Sequence, residues 1–201
     1  MDIIETRTVV VTGFGPFGKH SVNASWEAVN ELAKTSNEKL KTNFNVQLIT
    51  EEIPVIYDHV NDRIPQIWKE YDPLFLIHVG VSHMASCITI ETAAHSSGYT
   101  REDITQKYPI ECHDSVCKLI ETGIDVNKMC IELNKSGICA ACVSKNAGRY
   151  LCEYTYYQSL NIQPKRTLFI HVPDRMVYPC TVTAQALYFI ITYLLKNYIN
   201  K

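Results

Sequence analysis

Residues 74–81, LFLIHVGV, form an apolar run broken only by His78. A strand with one wet face alternates apolar and polar residues, so a strand apolar at every position has to be covered on both faces. Leu74–Val81 therefore reads as a central strand between two layers. Around it, strand-like and helix-like patterns alternate. Strands are expected at Thr8–Thr12, Val46–Ile53, Cys87–Thr92, Ile138–Ser144 and Thr167–Val172, with Cys87–Thr92 at an edge or antiparallel. Helical spacing links Trp26, Val29, Leu32 and Ala33 behind a cap at Asn23 or Ser25. It links Val60, Ile64, Ile67 and Trp68 ahead of Pro73, and Val126, Met129, Cys130 and Leu133 ahead of Gly137. Two more helices are expected over Tyr150–Leu160 and from about Thr183 to Tyr198, and Ser96–Ser115 reads as a long surface loop. The expectation is a single domain over residues 1–201: a three-layer α/β/α sandwich around a twisted, mostly parallel, mixed sheet.

The bulk numbers narrow the function classes. The chain has 201 residues, 46% of them hydrophobic, enough for a sizeable core. A net charge of −2 with scattered Lys and Arg gives no reason to expect a nucleic-acid or anionic-membrane partner. The opening MDIIETRTVV is acidic and lacks an apolar leader core, and the longest apolar run, Ala186–Leu195, is too short to cross a bilayer.

VVVTGFGPFG, Val9–Gly18, contains a literal G-x-G-x-x-G after a strand. A dinucleotide site needs a helix to start at the last glycine and an acid about 20 residues on, at the end of the next strand. Here Pro16 and Phe17 occupy the turn and no helix starts before about Ser25, while the next strand ends near Glu51. No Lys-Ser or Lys-Thr follows in P-loop register either. Nucleotide chemistry is thus disfavoured. Phe14 and Phe17 suit the walls of a small, flat, uncharged ligand, with the glycines letting the backbone turn tightly beside it.

Eight cysteines are present: Cys87, Cys112, Cys117, Cys130, Cys139, Cys142, Cys152 and Cys180. Without a secretory leader they are expected to be mostly free, buried thiols. Cys139 and Cys142 have metal or redox spacing, and Cys112, His113 and Cys117 cluster loosely. Cys139 and Cys142 fall in a predicted strand, where i and i+3 point to opposite faces, so buried structural cysteines are favoured over zinc.

Cys152 differs. In NAGRYLCEYTYY, Asn146-Ala147-Gly148 marks a turn and Cys152 falls in the first turn of a helix, where the dipole favours a thiolate and backbone N–H groups can hold an oxyanion. His171 closes TLFIHV before Pro173, and Glu91 closes CITIE. In open α/β sheets ligands bind outside the carboxyl ends of strands, where the glycine turn, Glu91, Cys152 and His171 are all expected to converge. A cysteine nucleophile, an imidazole acid/base and an orienting acid make a hydrolytic triad. His20, His59, His83, His95 and His113 fall in predicted loops or on a helix surface, and His78 reads as a hydrogen-bonded core residue.

TGFGPFG with VNASW, HVGVS, AGRYLCEYTYY and FIHVP, in that order, resembles the pyroglutamyl-peptidase I family, cysteine peptidases of family C15. The resemblance runs through nearly the whole chain, weakest from about Gly98 to Ile124. It implies cleavage of the bond after an N-terminal pyroglutamyl residue through a thioester, without a cofactor, in the cytosol. Cys152 would be the nucleophile, His171 the histidine and Glu91 the acid. Phe14, Phe17, Tyr150 and Leu151 would line the lactam pocket, and backbone of the glycine turn or of Gly80, Val81 and Ser82 would bind the ring amide. The chain departs from the family where Asn146 replaces an aspartate, where His83 replaces a glycine, and in a shortened loop around Lys107–Asp114. A binding paralogue without turnover is the other reading these departures admit.

Overall fold

The structure is a computed structural model describing residues 7–18, 22–109 and 117–198. In chain order its elements are β1 (Arg7–Phe14), α1 (Ala24–Phe44), β2 (Val46–Ile53), α2 (Tyr57–Tyr71), β3 (Phe75–Val81), β4 (Ile88–Glu91), β5 (Ala93–His95), β6 (Leu119–Glu121), α3 (Val126–Lys135), β7 (Ala141–Ser144), α4 (Leu151–Ile162), β8 (Thr167–Val172) and α5 (Cys180–Tyr198). Six strands form a mixed sheet in the order β2-β1-β3-β8-β4-β7; β5 and β6 form a separate antiparallel pair.

Alternate residues of the central strands enter two different cores. Val9, Val11, Ile77, Val79, Leu168 and Ile170 pack with residues of α1, α3 and α5, among them Leu32, Leu133 and Ile191. Val10, Leu76 and Phe169 face α2 and α4, meeting Ile64, Ile67, Tyr156 and Leu160. That two-sided burial is the reason these strands read as continuous apolar runs. Each half-layer closes on local signals. Asn23 caps α1 by accepting from Ser25 N at 3.0 Å, and Asn45, left-handed at φ 51°, ends it. The stripe Ser25, Ala28, Val29, Leu32, Ser36 and Leu40 turns α1 onto the sheet, leaving Trp26 and Ala33 half-buried at its margins.

Several expectations change. β4 is an interior strand, flanked by β8 and β7, and it runs antiparallel to β8 and parallel to β7. The edge is β7, which begins only at Ala141, so Cys139 lies ahead of the strand. The cysteines are correspondingly less buried than expected. Cys130 is buried, Cys117 and Cys142 are exposed, and the other described cysteines are half-buried, because an edge strand has little to cover it. Of the stretch read as a loop, residues 96–109 follow β5 and are held by buried Asp103, whose carboxylate accepts from the backbone of Tyr57, Thr105 and Lys107, while residues 110–115, with most of the loop read as shortened, lie outside the described residues. His20, Cys112 and His113 lie outside the described residues. No helix among the described residues is long and apolar enough to cross a membrane.

Candidate active site

The turn before α4 sets the thiol. Gly148, at φ 92°, donates its N–H to Asn146 Oδ1 at 3.2 Å, so asparagine supports this turn without an aspartate's charge. Tyr150 then enters the helix in extended conformation with no side-chain cap. The first N–H groups of a helix have no intrahelical partner, so those of Leu151, Cys152 and Glu153 remain available, with the positive end of the helix dipole behind them. Cys152 faces β3. A Cβ placed on Gly80 would lie 2.8 Å from Cys152 Sγ and 2.9 Å from the Phe169 ring, so only glycine leaves the thiol this position.

His171 meets the thiol from β8. Both side chains line one cavity, and on the far side of the ring Nδ1 lies 2.8 Å from Glu91 Oε1. Glu91 was expected at the same rim as His171. Because β4 runs backwards, Glu91 pairs with Phe169, one layer deeper, and reaches diagonally to the imidazole on the same face. The acid is consequently only 2% exposed. Tyr156 Oη anchors it by donating to the Glu91 backbone carbonyl at 3.0 Å. Burial alone would push the His171 ring down, but its hydrogen bonds and charge interactions with Cys152 and Glu91 outweigh that and raise it to about 9.

These groups open into a cavity of about 580 Å³ whose lining includes Phe14, Phe17, Val81, Ser82, Tyr150 and Leu151. Gly80 lies behind Cys152 and is not in the lining. Three backbone groups of the glycine turn are already engaged. Phe14 N donates to Ser25 Oγ, Gly15 N to Ile53 O, and Gly15 O accepts from Asn23 Nδ2. Ser82 N is likewise taken, by Val172 O at 2.9 Å. These three N–H groups hold the turn to α1 and β2, and β3 to β8, so they are not the groups that would meet a ring amide.

Residues 7–186 match the sequence profile described as pyroglutamyl peptidase. The chain is 42% identical over 170 residues to human pyroglutamyl-peptidase 1, a match covering 83% of this chain and 79% of the relative. The chain belongs to the pyroglutamyl peptidase family. Over 158 residues it is also 32% identical to the human pyroglutamyl-peptidase 1-like protein, covering 76% and 79% of the two chains. A mutant pyrrolidone carboxyl peptidase from Pyrococcus furiosus superposes with a TM-score of 0.81 at 25% identity, over 96% of this chain and 100% of the other. The Bacillus amyloliquefaciens pyroglutamyl peptidase I structure, 22% identical, shares the fold at a TM-score of 0.80 over 95% and 98%. Membership makes the chain a cysteine peptidase and a hydrolase.

Within this pyroglutamyl peptidase fold, several groups around the thiol escape a sequence reading. Glu153, the residue after Cys152, is fully buried and holds two partners: Arg149 Nη1 at 2.8 and 3.0 Å, and His95 Nδ1 at 2.9 Å. It thereby ties the nucleophile's turn to β5. An acid in an otherwise apolar helical pattern was the available signal. Arg101 also lines the cavity, its guanidinium 4.4 Å from the Tyr150 ring centroid. His83 also lines the cavity, with its ring 6.2 Å from Phe17 and Nδ1 4.0 Å from Asp174. His78 is only half satisfied: Nδ1 meets Thr12 Oγ1 at 2.8 Å, Nε2 is buried without a partner among the described residues, and burial pushes the ring down to about 3. Among the described residues, no group of three or more His, Cys, Asp or Glu is arranged to hold a metal ion.

Proposed function

We propose that this chain is an exopeptidase that removes an N-terminal pyroglutamyl residue by Cys-His-Glu chemistry. The observation that carries the reading is that Cys152 and the hydrogen-bonded pair His171–Glu91 line one cavity with the apolar walls Phe14 and Phe17. Pyroglutamate is a neutral five-membered lactam, which matches a pocket with aromatic walls. Against these aromatic walls a charged free α-amine would be desolvated and is disfavoured relative to the neutral lactam.

His171 withdraws the Cys152 proton, and the thiolate attacks the carbonyl carbon that follows the lactam ring. The oxyanion is held by N–H groups at the start of α4. The C–N bond breaks as imidazolium passes its proton to the departing amine, leaving a thioester. Water, deprotonated by His171, then attacks the thioester; the C–S bond breaks and pyroglutamate leaves. Glu91 on Nδ1 keeps the other ring nitrogen turned to the sulfur. The reaction requires no cofactor, and the family resemblance points to the cytosol as its setting.

The test is release of fluorophore from a pyroglutamyl amide by the reduced protein, with Cys152→Ala as control. Release abolished by that substitution is expected. Release undiminished in Cys152→Ala, or no release by the unaltered chain, overturns the proposal; pyroglutamate binding without turnover would assign a binding role instead.

A further inference from the structure

Two thiols meet at the sheet edge beside the catalytic pocket. Cys87, in the segment entering β4, and Cys142, on β7, have their sulfurs 3.3 Å apart. Neither lines the cavity. Cys142 is exposed and Cys87 half-buried, so one member meets solutes while the other stays behind it. Thr89 Oγ1 lies 3.5 Å from Cys142 Sγ and helps fix that side chain. A disulfide needs sulfurs about 2.05 Å apart, so the pair has little more than an ångström to close at a strand margin.

We propose that Cys87 and Cys142 are a modification site, joined in a reversible disulfide by a low-molecular-weight disulfide such as glutathione disulfide. Cys142, deprotonated to solvent, attacks one sulfur of the oxidant, forming a mixed disulfide and expelling one glutathione thiolate. Cys87 then gives up its proton and attacks the Cys142 sulfur, expelling the second glutathione. Two protein thiols are oxidised and one glutathione disulfide is reduced to two glutathiones. Burial, with the neighbouring Cys142 thiol, holds Cys87 up to about 11, which fits it to be the second and not the first attacker. The bond would join positions 55 residues apart and tether the segment carrying Ser82, His83 and Met84 to β7. Closing a loop of that length restricts the unfolded chain, so the oxidised protein melts higher.

The experiment uses the full-length chain as Cys152→Ala, which removes the catalytic thiol as a competing target. The protein is equilibrated in glutathione buffers of increasing oxidised fraction, quenched in acid, alkylated and digested without reduction. Mass spectrometry should find a peptide pair joined through Cys87 and Cys142, two hydrogens lighter than its parts and separated by dithiothreitol. The thermal midpoint should rise by several degrees with the fraction joined. Cys139→Ser should keep the link, and Cys142→Ser should lose it while hydrolysing a pyroglutamyl amide normally in reducing buffer if placed on the unaltered Cys152 background. Both thiols alkylated singly at every ratio, stable mixed disulfides without closure, or linkage of Cys87 to Cys139 overturns the proposal. The peptide result on Cys152→Ala decides even if Cys142→Ser does not fold.

Discussion

Gly80 and Cys152 occupy adjoining space: a single methyl on the glycine would stand 2.8 Å from the sulfur. The other obstruction, the Phe169 ring at 2.9 Å, packs tilted against His171, at 4.8 Å between ring centroids. One added carbon thus presses on both the nucleophile and the support of its histidine. Gly80→Ala should fold with a loss of about 1–3 kcal/mol in urea denaturation, as for overpacked cores. It should lower kcat roughly 100-fold, since small displacements of reacting groups carry large kinetic penalties. Wild-type kcat in this variant would contradict the packing.

Glu91→Gln keeps the shape and removes the charge next to His171. The native ring, raised to about 9, binds its proton more tightly than an ordinary histidine at 6.5. Stability from that proton is present in full below 6.5 and is lost as pH rises through about 9. Leaving-group protonation should fade over the same alkaline range. In Glu91→Gln the alkaline limb of kcat/KM should move to lower pH and the plateau fall at least tenfold. A profile that keeps its alkaline limb near 9 would mean that Glu91 does not tune the ring.

His78 acts in the opposite direction. Its native ring stays neutral down to about 3, whereas an unfolded histidine takes up a proton near 6.5. Between those values the unfolded chain binds the extra proton, so stability falls with decreasing pH by about 1.4 kcal/mol per unit. His78→Leu removes this dependence. Its loss at neutral pH, where Thr12 forfeits its 2.8 Å partner, should shrink or reverse near pH 4.5 in denaturant titrations. An identical difference from wild type at both pH values would count against it.

Glu153 and Arg149 should couple strongly. Glu153→Gln removes the buried charge while Arg149, 38% exposed, is left to water, so the loss should be about 1–3 kcal/mol. Adding Arg149→Met to Glu153→Gln should recover part of the deficit, giving a coupling above about 1 kcal/mol in a double-mutant cycle. Additive losses would show that the contact carries no energy.

Much of this architecture was legible because the strands are covered on both faces. Val46–Ile53 and Thr167–Val172 fall where the apolar and β-branched runs place them. Cys152 in a first helical turn and His171 at a strand end were readable from local signals alone. β5 and β6 were not, since three residues carry no period. For β4 the antiparallel alternative held and the edge alternative did not, and a signal could have chosen between them. Only residues 82–87 separate it from β3, too few for the crossover that a parallel partner requires. Glu153 was passed over because helical periodicity reports burial and not ion pairing, and its partners Arg149 and His95 come from a turn and a separate strand.

The backward course of β4 has an outcome for how the site responds to its surroundings. A carboxylate handed up from inside the sheet is insulated from whatever the mouth admits. Dissolved salts and incoming peptides reach Phe17 and Tyr150, while Glu91 sits below His171 with almost no surface of its own. Ions in solution screen exposed charges far more than enclosed ones, so the tilt of the imidazole should be indifferent to ionic strength even where substrate capture at the rim is not.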